Sequence, residues 1–120
     1  MADSNYSFVK MLAKFSAAGA VPSTDRTGRA LTAAGGAIVV ANGGALTGAY
    51  LTLDGTGDYV TTPGTTDLRL GVGDFCIDFG LKTTASNKCL IDHYDGSNTG
   101  WQVFLDSAGH LVWWNDVTIK

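Results

Sequence analysis

Residues 53–83 read LDGTGDYVTTPGTTDLRLGVGDFCIDFGLKT, and this stretch decides the fold class. Leu53 closes a β-rich run begun at Tyr50 and Leu51. Asp54-Gly55-Thr56-Gly57 follows, then Tyr59-Val60-Thr61-Thr62. Asp and Gly tolerate the positive φ that tight turns need, so the stretch predicts a β-hairpin folded about Asp54 and Gly57. Pro63-Gly64 ends it. Gly71 and Gly73 then introduce Asp74–Leu81, where Phe75, Ile77, Phe79 and Leu81 fall on every second position. Period two marks a strand with one face buried.

Working outward, the same alternation of short β-rich runs and turn residues continues. Lys88 to Tyr94, Gly100 to Leu105 and His110 to Asn115 are separated by Gly, Asp, Ser or Asn. Upstream, Gly35-Gly36 and Gly43-Gly44 bracket the strand candidate AIVVA at 37–41. At the N-terminus, Phe8, Met11, Leu12 and Phe15 fit a helical stripe, while Val9, Met11, Ala13 and Phe15 fit one face of a strand. About eight short strands at close spacing indicate an all-β, antiparallel sandwich or barrel. The alternation predicts a core of Leu51, Leu53, Tyr59, Phe75, Ile77, Phe79, Leu81, Ile91, Trp101, Val103 and Leu111.

Composition agrees. The chain has 120 residues, enough for one core, and is read as a single domain over 1–120. All 11 acidic residues are aspartates and 16 residues are glycine, which favours turns and strands over helices. A formal net charge of −3 and the scattered Arg26, Arg29 and Arg69 give no footprint for nucleic acid or a membrane surface. The start Met1-Ala2-Asp3-Ser4-Asn5 is acidic and polar, unlike a signal peptide. Cys76 and Cys89 have neither CxxC nor zinc spacing and are expected as free thiols.

The stretch 53–83 resembles the laminin-G-like, concanavalin A-like jelly-roll modules of bacteriophage virion proteins. The resemblance lies in Asp54-Gly55-Thr56-Gly57-Asp58-Tyr59 and in Gly71-Val72-Gly73-Asp74-Phe75-Cys76-Ile77-Asp78-Phe79. Leu90-Ile91, Gly100–Phe104 and His110-Leu111-Val112 sit where such modules place later strands, and the opening SFVKMLAKF is similar to their first strand. The chain departs from them at Gly80, where a tryptophan is common, and in stopping at Lys120. The resemblance implies a jelly-roll-like β-sandwich, reduced and completed by a partner. It implies a virion protein made in the host cytoplasm, in contact with the major capsid protein and with copies of itself.

The candidate chemistry is thin. Glucanases of the wider fold use paired glutamates, and this chain has no glutamate, so no catalytic site is expected. The loop Asp92-His93-Tyr94-Asp95-Gly96-Ser97-Asn98 is rich in oxygen; Asp92, Asp95 and Asn98 are its calcium candidates. The plainer reading is an Asx-type turn, with no cofactor. Tyr94, Trp101, Trp113 and Trp114 could form a stacking platform for a sugar. Trp113 and Trp114 are adjacent on a strand and take opposite faces, so one is expected in the core and the other, with Tyr94, at a partner or glycan contact. His93 and His110 read as loop or strand-end residues. The function expected is a capsid decoration protein that stabilises the head. The alternative is a lectin-like module that attaches the virion to a host-surface glycan.

Overall fold

A computed structural model describes residues 10–43, 48–64, 68–70, 74–93 and 99–117. Among them are seven β-strands, all paired antiparallel, and no α-helix. No helix of these residues is long and apolar enough to cross a membrane. The chain divides into two compact units, residues 1–64 and 65–120.

The first unit contains β1 (Thr32–Ala34), β2 (Ile38–Ala41), β3 (Ala49–Thr52) and β4 (Tyr59–Thr61). The pairing is nested: β2 pairs with β3 and β1 with β4. AIVVA thus becomes a strand as expected, and Val39 is its most buried residue. The hairpin expected about Asp54 and Gly57 does not form, because β3 and β4 each take an upstream partner. Residues 53–58 on the returning arm face only residues 35–37 on the outgoing one, so the DGTGD stretch bulges out of the ladder. Asp58 pins the bulge: its carboxylate accepts from the Gly36 N–H and, at 3.0 Å, from the Asp54 N–H. These N–H groups hold the Asp58 pKa below the usual carboxylate value against partial desolvation. Gly35 has φ +66°, and a Cβ there would collide with Asp58 Oδ1 and the Gly57 carbonyl.

The second unit contains β5 (Lys88–Asp92), β6 (Thr99–Leu105) and β7 (Leu111–Val117), in the order β5-β6-β7. All three were legible as β-rich runs. Trp101, Val103 and Leu105 alternate along the central strand β6 and are buried. The ladder from β6 to β7 is unbroken, from Thr99 opposite Val117 to Leu105 opposite Leu111. The ladder from β5 to β6 shifts between Cys89 and Ile91.

Two turns share one construction. In Asp25-Arg26-Thr27-Gly28-Arg29 and Asp106-Ser107-Ala108-Gly109-His110, the aspartate N–H bonds the carbonyl four residues on, at 2.8 and 3.0 Å. The glycine N–H returns to the aspartate carbonyl at 3.2 and 3.0 Å. Both glycines have positive φ, +86° and +82°. Aspartate starts such a turn because its side chain also caps N–H groups two and four residues on, and glycine closes it because only it takes that φ without strain. The second turn joins β6 to β7. The first is flanked by a bridge between Thr24 and Ala30.

Several core expectations are corrected. Leu53, Tyr59, Phe75, Phe79, Leu81 and Leu111 are exposed, and Leu51, Ile77 and Ile91 are half-buried. Residues 74–86 form no strand. Alternation supplies a face, but a strand also needs a neighbour for its N–H and C=O groups, and Asp74–Leu81 has no backbone hydrogen bond among the described residues. The expected first strand lies partly in 1–9, outside the described residues; over 11–15 no strand forms. Cys76 and Cys89 are exposed free thiols.

Candidate functional site

The most distinctive chemistry of the second unit is a row of rings across its sheet. Residues directly opposite in an antiparallel ladder share a face. Trp101, Val103 and Leu105 on β6 therefore share theirs with Asn115, Trp113 and Leu111 on β7. His93, just past β5, exchanges backbone hydrogen bonds with Trp101, at 2.9 and 3.4 Å. This sets the imidazole beside the indole, nearly parallel (6°), with centroids 5.7 Å apart. Trp101 stacks in turn on Trp113, at 5.4 Å and 22°, and Trp113 on Phe75, at 5.4 Å and 28°. Trp101 is anchored further by its Nε1–H, which donates to the Leu68 carbonyl at 3.0 Å.

The row grades from enclosed to open. Trp101 is 8% exposed, Trp113 40% and Phe75 51%. The expectation that one of the two adjacent tryptophans is a core residue is corrected, since Trp114 on the opposite face is also 37% exposed. Opposite faces follow from strand geometry, but β7 is the last strand of the sheet, and side chains there have a neighbouring strand on one side only. Trp114 lies opposite Gln102, and Gln102 opposite Asp92.

That second face holds the one calcium candidate the structure describes. Asp92 Oδ1 accepts a 3.1 Å hydrogen bond from Gln102 Nε2. Asp95, Asn98 and Tyr94 lie outside the described residues. Among the described residues, no group of three or more His, Cys, Asp or Glu side chains could hold a metal ion. Cys89 shares this face; burial first, then the nearby Asp92 charge, pushes its thiol pKa up, which weakens it as a nucleophile.

His110 sits in the β6–β7 turn, with Nδ1 3.1 Å from Asp106 Oδ2. Asp106 also accepts from the N–H groups of His110 (2.8 Å) and Ala108 (2.9 Å), and these bonds keep its pKa low. The pair is a turn lock on an exposed loop.

An open groove of about 470 Å³, polar and apolar in nearly equal part, lies beside this hairpin, lined by Ile77, Phe79, Leu81 and Leu111 together with Asp78 and Thr83.

The sequence reading missed two things here. The alternation places Phe75 in the core, and His93 reads as a loop or strand-end residue with no role; Phe75 is exposed, His93 sits just past the end of β5, and both are members of the row. The signal for His93 is its place near the end of the β-rich run Lys88 to Tyr94, which keeps it in register with Trp101. For Phe75 there was no local signal, since its partner lies far along the chain. Comparison of the chain with protein-family models, with curated proteins and with solved structures finds no significant match in any of the three.

Proposed function

We propose that this chain is a non-catalytic structural protein of a bacteriophage virion. On this reading it is a capsid decoration protein, a reduced jelly-roll-like sandwich that binds the major capsid protein and copies of itself. The observation that carries the reading is the ring row, fixed at Trp101 and opening to solvent at Trp113 and Phe75. Rings held rigid before contact lose little entropy on binding, and large exposed aromatics at the centre of a patch serve as anchors. The virion assignment rests on the resemblance of residues 53–83 to phage jelly-roll modules.

A protein contact is favoured over a sugar platform because Trp113 already stacks on two rings of its own chain. The test is Trp113→Ala. The isolated protein should keep its far-ultraviolet circular dichroism. Its occupancy on capsids should fall by a weakening of at least about 1 kcal/mol, several-fold in affinity. Unchanged occupancy with lost binding to host cells or to a glycan array would instead establish the lectin-like module.

A further inference from the structure

We propose that Asn42 is a site of spontaneous deamidation, which converts the residue after β2 into aspartate or isoaspartate without an enzyme. The chain contains one Asn-Gly pair, Asn42-Gly43, and it stands where β2 leaves its ladder. The reaction requires the amide nitrogen of the following residue to reach the asparagine carboxamide carbon. A glycine in that place has no side chain to shield the nitrogen. Both residues are exposed, so water reaches them.

The fold itself selects both residues. Asn42 has φ +64°, in the left-handed region, which asparagine tolerates better than bulky or branched residues do. Gly43 lies against Tyr50 of β3, and a Cβ there would stand 2.8 Å from Cε1 of the ring. The backbone geometry thus favours an asparagine followed by a glycine, and their reactivity comes with them. The attacking amide is also lightly held. The Gly48 carbonyl accepts from the N–H groups of both Asn42 and Gly43, and the Gly43 bond is the longer, at 3.2 Å.

The step balances with water as the sole co-reactant. The Gly43 nitrogen gives its proton to solvent, bonds to Asn42 Cγ and expels the side-chain nitrogen as ammonia. Water then opens the cyclic imide at one of its two carbonyls. Opening at the main-chain carbonyl routes the chain through the former side chain and gives isoaspartate; opening at the other gives aspartate. Either product adds a negative charge to a chain whose formal net charge is −3. Isoaspartate also lengthens the backbone immediately after Ala41, which pairs with Ala49, and so loosens this end of the β2–β3 ladder. Asn87 provides the contrast. It is exposed and left-handed too, with φ +54°, but Lys88 follows it. The inference concerns this turn alone and does not depend on the virion reading.

The unaltered chain supplies the test. It is aged in warm, mildly alkaline buffer, sampled at intervals and digested with trypsin. Cleavage after Arg29 and Arg69 gives a peptide, 30–69, in which Asn42 is the sole side-chain amide. Cleavage after Lys82 and Lys88 gives a peptide, 83–88, in which Asn87 is the sole one. The peptide 30–69 should gain the mass of an amide-to-acid change several-fold faster than 83–88. Part of its product should accept a methyl group from an isoaspartate methyltransferase. Amide hydrogen exchange across β2 and β3 should be faster in the aged protein than in the fresh protein. An unchanged peptide 30–69, equal rates in the two peptides, or exchange that ageing does not alter overturns the proposal.

Discussion

The turns Asp25–Arg29 and Asp106–His110 are built alike, bond for bond, yet they carry different weight. In the second, the carboxylate caps its own loop and one exposed imidazole. In the first, Asp25 is only 6% exposed and gathers bonds from beyond the turn. Its oxygens accept from the N–H groups of Thr27 and Arg29 (both 2.8 Å), from the Thr27 hydroxyl, and from the Leu12 N–H at 2.9 Å. The Arg26 N–H returns to the Leu12 carbonyl at 3.0 Å, and Arg29 Nη2 donates to the Lys10 carbonyl at 3.2 Å. One turn closes a hairpin; the other staples a distant extended segment to the unit. Burial pushes the Asp25 carboxyl up, but the hydrogen bonds from Leu12, Thr27 and Arg29 outweigh it and leave the pKa below the usual value.

The largest expected effect therefore falls on Asp25. Asp25→Ala leaves the N–H groups of Leu12, Thr27 and Arg29 without their acceptor; each such loss costs about 1–3 kcal/mol for a buried donor, and less where water reaches the exposed Leu12 and Thr27. A net destabilisation of about 3 kcal/mol in urea unfolding is expected, and Asp106→Ala should cost clearly less. Equal losses at the two sites would break the contrast. The same difference should show with acid. Because the folded pKa of Asp25 lies below its unfolded value, its contribution is complete above about pH 4 and disappears as pH falls through the folded pKa. Amide exchange at Leu12 and Thr27 should accelerate below that point.

A smaller effect is expected at Gly35. Gly35→Ala combines positive φ with a Cβ that meets Asp58 Oδ1 and the Gly57 carbonyl, and should cost about 2 kcal/mol by thermal unfolding. Gly28→Ala and Gly109→Ala sharpen the comparison from the other side. Both glycines have positive φ and open space where a Cβ would stand. Only backbone strain is at stake, so each should cost about 1 kcal/mol, and the two should agree to within a few tenths. A large gap would mean that the two backbones are not equivalent.

Much of the fold was legible locally. β2, β5, β6 and β7 each lay in a β-rich run bounded by turn residues, and these strands organise around neighbours close in sequence. Residues 53–83 were read less well, although their pattern was the sharpest. Tyr50 to Thr61 did hold two strands, but their partners lay upstream, and DGTGD became a bulge tied to Gly36. Phe75 to Leu81 had the alternation of a buried strand and came out exposed. In the candidate site, Trp101, Trp113 and Trp114 were singled out from residue type alone. Their arrangement into a row with His93 and Phe75 was not accessible, because it depends on register across strands.

What the sequence determined by itself was short-range: the β-rich runs that became β2, β5, β6 and β7, and opposite faces for Trp113 and Trp114. These follow from backbone geometry over a few residues, where the chain has few alternatives. What only the tertiary structure decided was which strand pairs with which, that Asp25 rather than Asp106 becomes a buried hub, and which rings stack. Those outcomes depend on contacts between residues distant along the chain, and local preference cannot rank them, because each candidate pairing satisfies the same local pattern.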